Sequence, residues 1–364
     1  MPYVSSRGNP SSRIWFILQR PYPSDIPKGF LFSGGMGHVF DKMLSEAGIS
    51  PNDVYVVCRN PDTDTPQGTG SVDSSLQHHK PPFIGVFNEV GIHYLKEMRL
   101  KDEEDSFKSP LQKYVGSLLS SPNLPFPHYM MPLYGPDRAV QDWTERNITT
   151  YVDLQKLRDE YLFWKSTGNL QPLPRRTLVY RDLELPELLS HLDRFRGASL
   201  LSNDIETVYP KADTAYTGHP GYPITIGLAD SPDFGISFNL FREHPHENRI
   251  LWRTLAEIYA TVPLLGQNFF NFDWFFQSAI GLEIPLPTIK DTLIRHHILW
   301  PELPHKLQFL TRQYTREPYY KDEGKHWNLK DMSSLRRYNC LDVCVTYEVY
   351  QEQEKEFDER PHLR

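Results

Sequence analysis

The stretch Thr167-Gly-Asn-Leu-Gln-Pro-Leu-Pro-Arg-Arg176 constrains the fold of this chain more than any other, because Gly and two Pro end a helical apolar pattern there. On each side stands a strand-and-helix pattern complete enough for a core of its own. The 364 residues therefore divide into two α/β domains, 1–170 and 171–364. Aromatic residues at 13% supply the bulk that disordered chains lack, and 31 Pro predict many rigid loops.

In the first half, Ile14–Leu18 reads as a strand, followed by a Pro-rich loop from Pro21 to Pro27 and a Gly-rich turn, Ser33–Gly37. Val39, Phe40, Met43, Leu44 and Ala47 recur at helical spacing, Gly48 stops the run, and Asp53–Val57 reads as a second strand. Pro61–Ser75 and Lys101–Asp105 read as surface loops, His128–Tyr134 as a buried strand and Val152–Trp164 as an amphipathic helix. In the second half, Thr177–Tyr180 is a short strand and Leu185–Phe195 a helix. Leu200–Glu206, Pro223–Ala229 and Phe234–Leu240 predict an antiparallel meander. A helix over Arg249–Ala260, a strand over Val262–Gly266, helices near Trp274 and from Asp291 and Pro304, and a long last helix from Ser333 to Glu356 complete the pattern.

A formal charge of −7 argues against a broadly basic nucleic-acid binder, although local basic patches stay open. Cys58, Cys340 and Cys344 cannot form a disulfide framework, and the last two are one helical turn apart rather than a metal knuckle. With no apolar signal core at the amino terminus and no apolar run long enough to span a bilayer, the expectation is an intracellular, cytoplasmic protein with no membrane partner.

Three carboxylate elements carry chemistry. On a strand, Asp204 and Glu206 share one face, since side chains alternate. Asp102/Glu104 and Asp182/Glu184 have the same spacing, but the apolar lead-in to Asp204 should bury it, where an unpaired carboxylate needs a cation or donor. Gly266-Gln-Asn-Phe-Phe-Asn-Phe-Asp273 is a strand end followed by an aromatic helix, with a helix cap as the plainer account of Asp273. Tyr338-Asn-Cys-Leu-Asp342 puts phenol and carboxylate on one helix face; Tyr209 and Asp213 share that spacing in a loop, and a core tyrosine bonded to an acid is the plainer account.

In this order, with about 70 residues between parts, the three elements resemble the tyrosine subtype of the DEDD 3′ to 5′ exonucleases over about residues 175 to 356; the histidine subtype would need His where Arg337 stands. The resemblance implies an RNase H-like (DnaQ-type) domain with a mixed sheet. It implies that Asp204, Glu206 and Asp342 hold one Mg2+ or Mn2+, that Asp204 is shared by a second, and that Asp273 completes the site through water. Two such ions generate hydroxide and stabilise both the attacking and the leaving oxygen. Tyr338 would orient the nucleophilic water, its ordinary pKa near ~10 suiting it to hydrogen bonding rather than to general-base work.

A closer likeness is to the proofreading domain of phage-type family A DNA polymerases, carried by Asp291–Pro304, Leu307–Leu310 and Glu317–Lys325. It makes Thr207, Asn268, Phe272, Tyr319, Tyr320 and Lys321 candidates for substrate binding, with Phe269, Phe270 and Trp274 as either stacking platform or core. His296, His297, His305 and His326 lack a compact metal spacing and read as solvated or core histidines.

In the first half, Phe32–Tyr55 is similar to the stretch after the first motif of the uracil-DNA glycosylase superfamily, which implies an α/β/α domain. Tyr134-Gly-Pro-Asp137 lacks the histidine of that family's His-Pro loop, Gln19–Asp25 departs from its first catalytic motif, and only Asp25 offers itself as a water activator. An inactive glycosylase-like module that binds DNA or a partner follows from these departures.

The expectation is thus a metal-dependent exonuclease on single-stranded or frayed 3′ DNA ends, releasing nucleotide 5′-monophosphates. It would proofread for a polymerase supplied by another polypeptide, or by a portion removed from this one, because the sequence ends just after the last exonuclease helix. A subunit that docks a polymerase, RNase D-like RNA trimming and an active uracil glycosylase are the alternatives.

Overall fold

The computed structural model describes residues 4–59, 70–88, 113–121, 124–208, 221–325, 327, 328 and 331–363. The run Lys101–Asp105, the Tyr209/Asp213 pair, Asp102/Glu104 and His326 lie outside them. The chain forms two compact units, Met1–Leu173 with Arg316–Tyr319, and Pro174–Thr315 with Tyr320–Arg364.

The first unit contains β1 (Arg7–Gly8), β2 (Ile14–Leu18), α1 (Gly35–Glu46), β3 (Val54–Cys58), α2 (Gly70–His79), β4 (Phe83–Phe87) and β5 (Tyr129–Leu133). After these come α3 (Pro136–Gln141), α4 (Trp143–Ile148), a π-helical turn (Thr149–Leu154) and α5 (Gln155–Thr167). The sheet order is β1-β3-β2-β4-β5, parallel throughout except for β1 against β3. Every residue of β2, β4 and β5 is buried, as expected of parallel strands covered on both faces. Phe16, Phe40, Leu44 and Leu157 pack one face of the sheet, and Trp15, Val72, Leu76 and Val86 the other.

Two expectations change in this unit. Pro61–Ser75 is not loop to its end, because α2 begins at Gly70 and buries Val72 and Leu76. Four residues apart, these two lie on one helix face, and each contributes about 1.5–3 kcal/mol by burial. Strand β4, beside β2 in the middle of the sheet, was not anticipated; its run of apolar residues has no alternation to mark it.

The second unit contains β6 (Thr177–Val179), α6 (Leu185–Phe195), β7 (Leu201–Val208), β8 (Tyr222–Ser231), β9 (Phe234–Asn239), α7 (Pro245–Tyr259) and β10 (Leu264–Gly266). It continues with α8 (Asp273–Ala279), β11 (Lys290–Asp291), α9 (Thr292–Leu299), α10 (Leu307–Tyr314) and α11 (Ser333–Glu359). The sheet order is β11-β10-β7-β8-β9-β6. β7, β8 and β9 form the expected antiparallel meander. β10 runs parallel to β7, β11 to β10 and β6 to β9, so the sheet is mixed. Helices α6 and α7 press Leu188, Leu192, Leu251 and Leu255 onto Ile205, Ile226, Leu228 and Ile236. On the other side α11 packs Val343 and Cys344 against Ala229. Gly227 makes this approach close enough for chemistry, since a Cβ there would lie 2.5 Å from Asn339 Oδ1.

Among the described residues no helix is long and apolar enough to cross a membrane.

Candidate active site

Strand alternation sends Ile205 into the core shared with α6 and α7, and leaves Asp204 and Glu206 on the opposite side of β7. The β7–β8 register shifts between Glu206 and Thr207, a bulge that interrupts regular pairing beside the acids. Helix α11 brings in Asp342, and carboxylate oxygens of Asp204, Glu206 and Asp342 all lie within 4.8 Å of one another. Asp342 is buried, whereas Asp204 and Glu206 are half-buried rather than sealed as the apolar lead-in suggested. The lead-in buries Leu201, Ser202 and Asn203, but burial stops where the strand reaches the acids.

Asp273 stands beside the cluster, its carboxyl raised by burial and by the charges of Asp204 and Glu206. Its buried carboxylate accepts the Ile205 N–H at 2.9 Å and so fixes the strand between the two acids; it is not one of the three mutually close ligating groups among the described residues. The turn that delivers it is held by Asp291, whose carboxylate accepts the N–H groups of Asn268 (3.0 Å), Phe269 (2.8 Å) and Leu293 (2.9 Å). Asn268 is left-handed there, with φ of 59°, and its side-chain oxygen accepts a hydrogen bond from Asn271.

Asn339, next to Tyr338, escaped the sequence reading. Fully buried, it donates from Nδ2 to Asp204 Oδ2 at 2.6 Å and to the Asp204 carbonyl at 3.2 Å, and its Oδ1 accepts the Ser237 hydroxyl at 2.7 Å. A signal existed, because Asn339 shares a helix face with Leu335 and Val343, where a polar residue needs buried partners.

Tyr320 and Lys321 converge on the same acid. The Tyr320 hydroxyl donates to Asp342 Oδ1 at 2.5 Å, and Lys321 Nζ donates to both Asp342 oxygens, at 2.6 and 2.7 Å, and to the Tyr338 hydroxyl at 3.1 Å. Thr207 is half-buried past the bulge, and the Phe272 ring lies 4.9 Å from that of Phe276. Phe269 is fully buried core, with Phe270, Phe272 and Trp274 packed partly against that core. Tyr319 belongs to the first unit, where its ring meets Tyr114 edge-on at 5.0 Å. The histidines form a chain in which His305 meets His296 at 2.7 Å and His297 at 3.1 Å, while His296 also meets Gln313 at 3.0 Å.

The electrostatics follow from crowding. Burial and then the charge of Asp342 push the Asp204 carboxyl up to about 7, against the pull of Lys321 and Asn339. Glu206 is raised by burial and by Asp204 and Asp342. The Tyr338 phenol is held far above its ordinary value by burial and by Asp342, Glu206 and Asp204, so it stays a donor at neutral pH. Three carboxylates facing one ammonium leave an excess of negative charge that a divalent cation would neutralise. An all-oxygen donor set without nitrogen or sulfur fits Mg2+ or Mn2+ better than zinc.

The first unit treats its acids differently. Asp25 is fully buried and accepts N–H groups of Tyr22 (3.3 Å), Ser33 (2.9 Å) and Gly34 (3.4 Å) as well as the Ser33 hydroxyl (3.3 Å). These bonds commit its oxygens to the loop before α1 and count against a water-activating role. Asp137 accepts the Tyr22 hydroxyl at 2.6 Å and Asn88 Nδ2 at 3.3 Å.

No protein-family model matches the chain, and no curated protein does. Solved structures with a partial likeness include the EXO domain of Nibbler from Aedes aegypti, at TM-score 0.40 and 16% identity, covering 52% of this chain and 94% of that one. The catalytic core of RRP6 from Trypanosoma brucei gives TM-score 0.38 and 13% identity, over 51% of this chain and 49% of that one. RNase D from Escherichia coli, an exoribonuclease, gives 0.37 and 16%, over 52% and 49%. The chain thus spans about half the length of the last two, and the chemistry rests on its own side chains.

Proposed function

We propose that the second unit is a metal-dependent 3′ to 5′ exonuclease of the DEDD tyrosine subtype. The observation that carries this reading is the meeting of Asp204 and Glu206, from one strand, with Asp342, from the last helix, while Tyr338 sits one helical turn from Asp342. The sheet supports it, because an antiparallel meander flanked by parallel strands is a mixed sheet, as the resemblance to an RNase H-like domain implies.

Asp204, Glu206 and Asp342 would hold the metal. When bound, a pair of divalent ions lowers the pKa of a water and stabilises both oxygens of the displacement at phosphorus. The protein's own groups do the rest. Asp273 keeps β7 in register between its two acids, and Asn339 holds the Asp204 carboxylate with one hydrogen bond and its backbone carbonyl with another. Tyr338, protonated and beside Asp342, orients the attacking water by donating or accepting one hydrogen bond rather than by taking a proton.

The substrate we assign is a single-stranded or frayed 3′ DNA end, cleaved to nucleotide 5′-monophosphates, and the role is proofreading for a DNA polymerase. The first unit then serves as a glycosylase-like module without base-excision activity, in keeping with the committed oxygens of Asp25. A primer with a mismatched 3′ end, assayed with Mg2+ or Mn2+ beside its matched DNA and RNA counterparts, tests this. Metal-dependent loss of the mismatched nucleotide, absent in Asp342→Ala, is expected. An intact labelled DNA strand would sink the reading, and faster loss from RNA would change the substrate class. Uracil-containing DNA should survive incubation with the metal chelated.

A further inference from the structure

We propose that Lys321 is a resident counter-ion of the acid cluster, which the divalent metal must displace from Asp342 before the site is complete. This rests on the exonuclease reading of the same site and deepens it.

The geometry is specific. Lys321 Nζ lies 2.6 and 2.7 Å from the two Asp342 oxygens, and Tyr320 donates to one of them at 2.5 Å. Three of the roughly four acceptor positions of that carboxylate are thereby taken. A metal using Asp342 as a ligand competes for those lone pairs and repels the ammonium beside them. In return the ion replaces what Lys321 supplies, which is positive charge beside Asp204 and Glu206.

The displaced side chain stays close by. Tyr320 is buried and anchored by its hydroxyl, so the backbone at Lys321 is held. Nζ lies 5.1 Å from the Tyr320 ring and 4.9 Å from the Tyr338 ring, and it touches the Tyr338 hydroxyl at 3.1 Å. A short swing therefore leaves the ammonium between two aromatic faces that favour a cation, next to the residue assigned to the attacking water. Lys321 acts on the metal through Asp342 and is in that respect a positioning residue.

The test measures metal binding, not turnover. Mn2+ titrated into the full-length protein and followed by electron paramagnetic resonance should bind Lys321→Met at least about fivefold more tightly than the parent, with Lys321→Arg near the parent, since removing a cation removes its repulsion of the metal. Metal-free Lys321→Met should melt below the parent, and the deficit should close at saturating Mn2+; a purely structural lysine would leave it open. In the unaltered protein, a slowly exchanging lysine ammonium signal in EDTA should vanish when Mg2+ is added, a readout that stands even if the variants do not fold. Equal or weaker Mn2+ binding by Lys321→Met, or an ammonium signal that survives Mg2+, overturns the proposal. Should the parent bind no Mn2+ at all, the exonuclease reading falls with it; if the parent binds and cleaves while Lys321→Met matches it, only the role of Lys321 is lost.

Discussion

Asp25 in the first unit and Asp204 in the second are both acids at the edge of a buried strand or loop, and the two units surround them in opposite ways. Asp25 faces donors, with three backbone N–H groups and one hydroxyl on its oxygens. Asp204 faces other acids, with Glu206 and Asp342 within 4.8 Å and one strong side-chain donor in Asn339. Where a fold uses a carboxylate for itself, it supplies the hydrogen bonds that burial requires. Where carboxylates are crowded together, burial and their mutual repulsion raise their proton affinity, and a cation becomes the favoured partner. The parallel sheet of the first unit also reverses strand order between β2 and β4, a place where ligands commonly enter. After these strands Tyr22 and Asn88 both donate to Asp137.

Exchanging the two acids for alanine breaks the comparison most sharply. Asp204→Ala should lower metal-dependent nuclease activity by about a thousandfold or more, the equivalent of several kcal/mol of lost transition-state stabilisation, measured on a 3′-labelled single strand. Asp25→Ala should leave that rate within about twofold and instead destabilise the first unit. Each orphaned buried donor costs about 1–3 kcal/mol, so loss of two or more should lower its melting temperature by roughly 5–10 °C. A nuclease defect in Asp25→Ala with unchanged melting would reverse the roles assigned here.

Tyr338→Phe has a smaller expected effect. Removing one hydrogen bond to the attacking water should slow cleavage by about 10–100-fold, a loss of roughly 1.5–3 kcal/mol, with Mn2+ affinity unchanged. If the variant instead lost Mn2+, the phenol would be serving the metal and not the water.

The legible parts were those that combine periodicity with a chemical anomaly. β7 shows alternation with two acids in phase, and α11 shows Tyr338 and Asp342 one turn apart. Neither pattern alone predicted their meeting across the sheet, which the resemblance to the exonuclease family implied. What stayed hidden was local polarity without a pattern. Asp291 looks like a helix start, which it is, yet its second task, holding the Asn268 turn, depends on a strand pairing that brings β11 beside β10. Asn339 reaches Asp204 only because Gly227 allows the helix so close. In the first unit β4 carries five buried residues with no alternation, and the Ser-rich composition around α2 masks the pair Val72 and Leu76.

The smallest predicted effect is a pH dependence that only the second unit should show. Asp204 has a folded-state pKa near 7 against an ordinary 3.8, and Glu206 is shifted in the same direction. Between those values the folded protein holds a proton that the unfolded chain has released. The contribution of these acids to the stability of the metal-free protein should therefore fall as pH rises from about 4 to about 7 and change little above that, opposite in sign to that of the histidines whose pKa burial lowers. A divalent ion held by Asp204 and Glu206 would favour their ionised forms and should remove this part of the slope. Thermal melts in EDTA and in Mn2+ from pH 5 to 8, compared between the parent and Asp204→Asn, isolate the effect from the histidines, which both proteins share. The Asn variant should flatten the EDTA series and leave the Asp25 unit untouched. A slope that persists equally in Asp204→Asn would mean that the crowded acids are already neutralised within the fold, and the contrast between the two units would then lie in geometry alone.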